Sequence, residues 1–129
     1  MARRSLEDLV LWQTAREIAT EVYRQTGTRR FNADPHLRTE LRTTARTIMA
    51  NIAAGYGADE AACLARGFDR AAQAVAGLSS LLHLAIDLRL LDQPKATRLL
   101  ERSLDLSHMI RGWQRAIREH EAVRMRAIN

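Results

Sequence analysis

Asp105-Leu106-Ser107-His108 is the one stretch of this sequence in which a carboxylate precedes an imidazole by three residues. Helical bundles build paired metal sites from such spacing: a carboxylate from each of two helices and Glu-x-x-His from each of the other two. Here the second element occurs once, with Asp for Glu, and His36, His83 and His120 have no acidic residue three positions earlier. Asp105 and His108 therefore read as a solvated pair. His83, inside an apolar run, reads as a hydrogen-bonded interface or core residue. Ser79-Ser80 lacks the glycine-flanked elbow that exposes a catalytic serine, and Cys63 has no neighbouring His to activate its thiol. Gly55-Tyr56-Gly57 lacks the third glycine of a dinucleotide loop and the Gly-Lys-Ser/Thr of a P-loop, so it reads as a helix stop and turn. No catalytic residue, cofactor site or metal site is expected, and the expectation is a protein that is not an enzyme.

The arginines carry more. Arg38, Arg42 and Arg46 recur at i, i+4 and i+8, and Arg111, Arg115 and Arg118 make a second row. Residues so spaced share a helix face, and each row sets forked guanidinium donors about one turn apart, a geometry that neutralises successive phosphates of RNA or DNA. The competing reading is a solvated face with local pairs, because Asp34 and Arg38, Glu21 and Arg24, and Arg115 and Glu119 all stand at pairing distance. Two Trp, two Tyr and two Phe leave little for base stacking, so any binding would be led by charge and shape.

Both rows need helices to carry them, and the turn chemistry marks out four. Ser5 with Asp8 resembles a capping box, and Leu9, Trp12, Ala15, Ile18 and Val22 make the stripe of a helix over residues 6–26, which Gly27 is expected to stop in a left-handed conformation. Asp34 is an N-cap with Pro35 at the first helical position; Leu37, Leu41, Ala45, Ile48 and Ile52 follow, predicting a helix over 35–54 ended by Gly55-Tyr56-Gly57. A third helix spans 60–91. A fourth spans 94–118 with Leu99, Ser103, Leu106, Ile110, Trp113 and Ile117 at the seam spacing of a bundle. The pattern then fades, predicting a frayed, charged tail over 119–129. No segment alternates with period two, so the fold class is all-α: an antiparallel up-down-up-down four-helix bundle forming a single domain over 1–129.

The third helix has more apolar surface than such a bundle requires. Between Arg70 and Asp87 lie 16 residues without a formal charge. Ala72, Val75, Leu82 and Ala85 fall on one side, and Ala74, Leu78, Leu81 and Leu88 on others. The second set supplies the candidates for contacts between subunits, because a monomer would expose too large a patch, with the core as the alternative place for Leu78 and Leu81. The run is too short and polar for a bilayer core of about 20 residues, so no membrane span is expected.

Composition bounds the setting. The chain has 129 residues, 47% hydrophobic, with a net charge of +5; every basic residue except Lys95 is arginine. One cysteine excludes an intrachain disulfide, which fits a reducing, cytoplasmic location. The opening residues contain no apolar signal core, so the whole chain reads as the mature protein.

Ser5 to Ala15 (SLEDLVLWQTA), Val22-Tyr23, Leu41 to Ile48 (LRTTARTI) and Asn51 to Gly57 (NIAAGYG) together resemble the four-helix bundle proteins encoded within 23S ribosomal RNA intervening sequences. The likeness continues more loosely to Leu91, and Asn51, Gly55 and Gly57 carry its most specific element. The resemblance implies a cytoplasmic, non-enzymatic homo-oligomer, a ring-like pentamer. It also implies kinship with the accessory protein of diversity-generating retroelements, a basic pentamer that binds nucleic acid and a reverse transcriptase. Two positions depart: Ala54 and Gly77 stand where the family usually has Glu, so no role of those glutamates transfers here. The function expected is a homo-oligomeric bundle whose arginine rows bind RNA or DNA phosphates; the alternative is a structural scaffold or protein-interaction module with no nucleic-acid binding.

Overall fold

The first helix starts later than its apolar stripe. In the computed structural model, which describes residues 5–128, Ser5 opens a 3-10 turn over Leu6–Asp8, and Leu9 is extended before α1, Val10–Thr26, begins. The Ser5 hydroxyl donates to the Asp8 carboxylate at 2.9 Å and caps no helix N–H, so the expected capping box does not form. A second 3-10 turn, Arg29–Ala33, buries Phe31. At the start of α2, Pro35–Tyr56, the Asp34 carboxylate accepts from the Leu37 N–H at 3.0 Å, the N-cap expected there. α3 is Ala61–Asp87 and α4 is Gln93–Ile128.

The four helices make an all-α bundle in which α2 packs on α1 and α3, and α4 on α3 and α1. Each contributes a stripe stepping by three or four residues. Leu11, Ile18 and Val22 of α1, Leu41, Ile48 and Ile52 of α2, Phe68, Leu78 and Leu82 of α3, and Leu99, Leu106 and Ile110 of α4 are all buried in one shared core. Leu78 is thereby a correction. A candidate for a subunit contact, it is 0% exposed within one chain, because it belongs to the stripe Phe68, Ala71, Val75, Leu78, Leu82, Ala85. His83 is exposed and so is no core residue. No helix among the described residues is long and apolar enough to cross a membrane.

Four helix ends differ from expectation, among them that of α3, which stops at Asp87 and not at 91. Gly27 caps α1 at φ −82°, ψ 6°, outside the left-handed region, since the terminal carbonyls of α1 are satisfied by side chains reaching over from α2. α2 runs through Gly55 and Tyr56, and Gly57 ends it. α4 continues as helix to Ile128, where a frayed tail was expected; Asn129 lies outside the described residues. Alternating Glu119, Glu121, Arg124 and Arg126 are compatible with an exposed helix face, and an Arg124–Glu121 pair at 3.9 Å lies along it.

A left-handed residue does occur, at the end of α3, and it is Arg89, with φ 60°. The Arg89 N–H donates to the Ile86 carbonyl and the Leu90 N–H to the Ala85 carbonyl, both at 2.9 Å, the paired bonds of a Schellman cap. Leu90, 8% exposed, packs into the core and holds the cap closed. An L side chain in this region costs about 1–2 kcal/mol, which glycine avoids. Arg89→Gly is therefore expected to stabilise the protein by about 0.5–1 kcal/mol after the glycine's extra unfolded-state entropy is subtracted. The check is an increase in urea midpoint at unchanged slope.

Candidate nucleic-acid interface

The arginine row of α2 is turned inward to α1. Arg38 donates from Nε to the Thr26 carbonyl at 2.8 Å, and from Nη2 to the Thr28 carbonyl at 3.1 Å and Asn32 Oδ1 at 2.8 Å. Arg42 donates from Nε to the Thr26 hydroxyl at 2.9 Å and from Nη2 to the Tyr23 carbonyl at 3.2 Å, with its guanidinium 4.6 Å from the Tyr23 ring centre. Arg46 donates to the Tyr23 phenol oxygen at 2.8 Å. Cations at a helix C-terminus meet both its free carbonyls and its dipole. Arg38 and Arg42 thus close α1 and fix its angle to α2. Of the three, Arg46 alone is largely exposed.

The row on α4 is different. Arg111, Arg115 and Arg118 are all exposed, and none has a hydrogen bond or ion pair to another described residue. Spaced four and three residues apart, they are separated by about 6 and 4.5 Å along the helix axis. The pair expected between Arg115 and Glu119 does not form, whereas Arg24 and Glu21 do pair, at 3.2 Å. Asp34 spends its carboxylate on the N-cap, so Arg38 bonds elsewhere.

Other chemistry stays dispersed. Asp105 and His108 are exposed and not bonded to each other, and no group of three or more His, Cys, Asp or Glu among the described residues could hold a metal ion. Cys63 has Arg66 beside it, with Nη2 at 3.0 Å from Sγ.

The glycine element has a packing role that its spacing did not reveal. Gly55, buried inside α2, faces Gly67 of α3. A Cβ added to Gly67 would lie 2.5 Å from the Gly55 Cα and 2.7 Å from the Asn51 carbonyl oxygen, and one added to Gly55 would lie 3.2 Å from the Gly67 Cα. Two backbones touch here without side chains between them. Asn51 turns its amide back along α2 to the Thr47 carbonyl at 2.9 Å. Gly67 escaped the sequence reading because a glycine in mid-helix has no periodic signature; its partner is visible only in three dimensions.

The family model described as the 23S rRNA-intervening sequence protein matches residues 7–112, a span that contains the Gly55–Gly67 contact and both flanking helices. The chain belongs to that family. No curated protein matches the sequence. In this member of the 23S rRNA-intervening sequence family, Ala54 and Gly77 lie far apart. The Gly77 Cβ position is 3.9 Å from the Thr44 methyl, and Thr44 precedes Ala54 by about 15 Å along α2. Glutamates at the two places would occupy separate stretches of the α2–α3 surface. The family match ends at Gly112, so Arg115, Arg118 and the rest of α4 lie beyond it.

Proposed function

We propose that the protein is a non-enzymatic, self-assembling bundle, a homopentamer as the family resemblance implies, that binds RNA or DNA phosphates through the outer face of α4. The observation that carries the binding reading is the unpaired, exposed row Arg111, Arg115 and Arg118. A rigid helix holds three forked donors there at a spacing near that of successive phosphates, and no carboxylate among the described residues is bonded to them. Arg38, Arg42 and Arg46 leave this role, held on the α1 side of α2 by their hydrogen bonds. Self-assembly rests on α3. Ala74, Leu81 and Leu88 share the flank of that helix next to α2, with Leu84 beside them, and Leu84 and Leu88 are 45% and 50% exposed.

The inward use of the α2 row favours the scaffold alternative to the extent that it halves the cationic surface first counted. The two readings separate on salt dependence. For three phosphate contacts per chain, affinity for an RNA duplex should fall roughly 40-fold between about 50 and about 200 mM salt, and for a single strand roughly 20-fold. Reversing Arg111, Arg115 and Arg118 to Glu should abolish that dependence without loss of helicity by circular dichroism. A protein that binds neither probe at low salt is a scaffold.

A further inference from the structure

α1 and α4 are unequal partners: 17 residues against 36, about 25 Å against 54 Å. The Glu17–Arg102 pair sets their register, which brings the start of α1 level with the region of Met109. Beyond that point no α-helix among the described residues covers the α1-facing side of α4. The result is an apolar groove of about 630 Å³, whose floor includes Leu9, Tyr56, Met109, Gly112, Trp113 and Ala116. Val10, 61% exposed, forms one wall.

The uncovered face has a pattern of its own. Met109, Gly112, Ala116 and Val123 recur at i, i+3, i+7 and i+14, a seam that runs out of the groove along the end of α4. Val123 is exposed, and a Cβ on Gly112 would meet nothing within 4 Å, so the seam contains both a knob and an empty hole. Helical segments as short as this end of α4 are marginal in water without packing.

We infer that a second copy of this chain fills the groove, with the two α4 ends packed antiparallel about a two-fold axis. The geometry requires it to be antiparallel. When Val123 of one copy seats over Gly112 of the other, the symmetry seats the reverse pair as well, and both grooves are closed by one operation. In that register Arg126 arrives opposite Met109, and so beside Asp8, which lines the same groove, and Glu7 next to it. The acidic rim of each copy receives the basic end of the other. This contact is separate from the α3 flank, so where five chains close a ring through that flank it pairs one ring with another; Arg111 and Arg118 lie on a different side of α4, and Arg115, three residues from Gly112, borders the seam.

Cysteine pairing in the full chain tests register and direction together. In a Cys63→Ser background, Gly112→Cys combined with Val123→Cys should form an interchain disulfide under mild oxidation, running as a dimer on a non-reducing gel. Each single variant should stay monomeric on the gel, because identical residues would be about 16 Å apart along an antiparallel pair. Cross-linking by the single variants would mean a parallel contact, and no cross-link from the double variant would mean no contact at this register; either overturns the inference. As a second measure, Val123→Glu, at a position exposed in one chain, should halve the mass found by light scattering, from paired rings to single ones, while leaving the circular dichroism spectrum unchanged. An unaltered mass also overturns it.

Discussion

Gly67→Ala is expected to destabilise the bundle by about 2–4 kcal/mol, at the upper end of what overpacking costs. The added methyl would lie 2.5 Å from the Gly55 Cα and 2.7 Å from the Asn51 carbonyl, and both obstacles are backbone in the middle of a helix. No side chain can rotate out of the way, so α2 and α3 must separate, which loosens the packing of Phe68 and Ile52 on either side of the contact. The gain in helix propensity from Gly to Ala, about 1 kcal/mol, offsets only part of this. Gly55→Ala supplies the internal comparison. Its Cβ would meet the Leu64 carbonyl at 3.1 Å and the Gly67 Cα at 3.2 Å, a tight contact that a shift of a few tenths of an ångström relieves. Urea unfolding of both variants should show Gly67→Ala well below wild type and Gly55→Ala close to it. Equal effects would place the tight point elsewhere.

Leu78→Ala is expected to cost about 3–5 kcal/mol, the range of a fully enclosed leucine whose cavity cannot collapse. Leu88→Glu, at a half-exposed position on the flank of the same helix, should cost less than about 1 kcal/mol by urea unfolding. The two substitutions should also differ in assembly. In sedimentation, Leu88→Glu should yield a folded species smaller than wild type, because a carboxylate introduced into an apolar subunit contact must be desolvated. A Leu88→Glu protein that keeps its wild-type mass would remove the α3 flank from the interface, while the loss of stability at Leu78 would stand regardless.

The contrast between those two leucines shows where the reading of the third helix reached its limit. Both lie in a run that is apolar on several sides, so hydropathy could not say which side faced inward. Leu78 sits three or four residues from Val75 and Leu82, and the packing of α2 and α4 selects that stripe. The arginine rows show the same limit in polar form. Spacing placed Arg38, Arg42 and Arg46 on one face of α2, but all their acceptors except Thr43 lie 6 to 23 residues away in sequence, mostly on α1 and the turn after it. Whether a guanidinium is free for phosphate depends on what another helix end offers it.

What the sequence determined by itself is local. Periods of three and four residues, the Asp34 and Pro35 start of α2 and the scarcity of turns specify four helices and their main stripes, because each depends on neighbours within a turn or two. Tertiary structure decided the rest: the inward turn of the α2 arginines, the backbone contact of Gly55 with Gly67, the burial of Leu78, and the bare face of α4 beyond the reach of α1. Each of these depends on where one helix ends relative to another, and relative placement is set by the packing of the whole core rather than by any single segment.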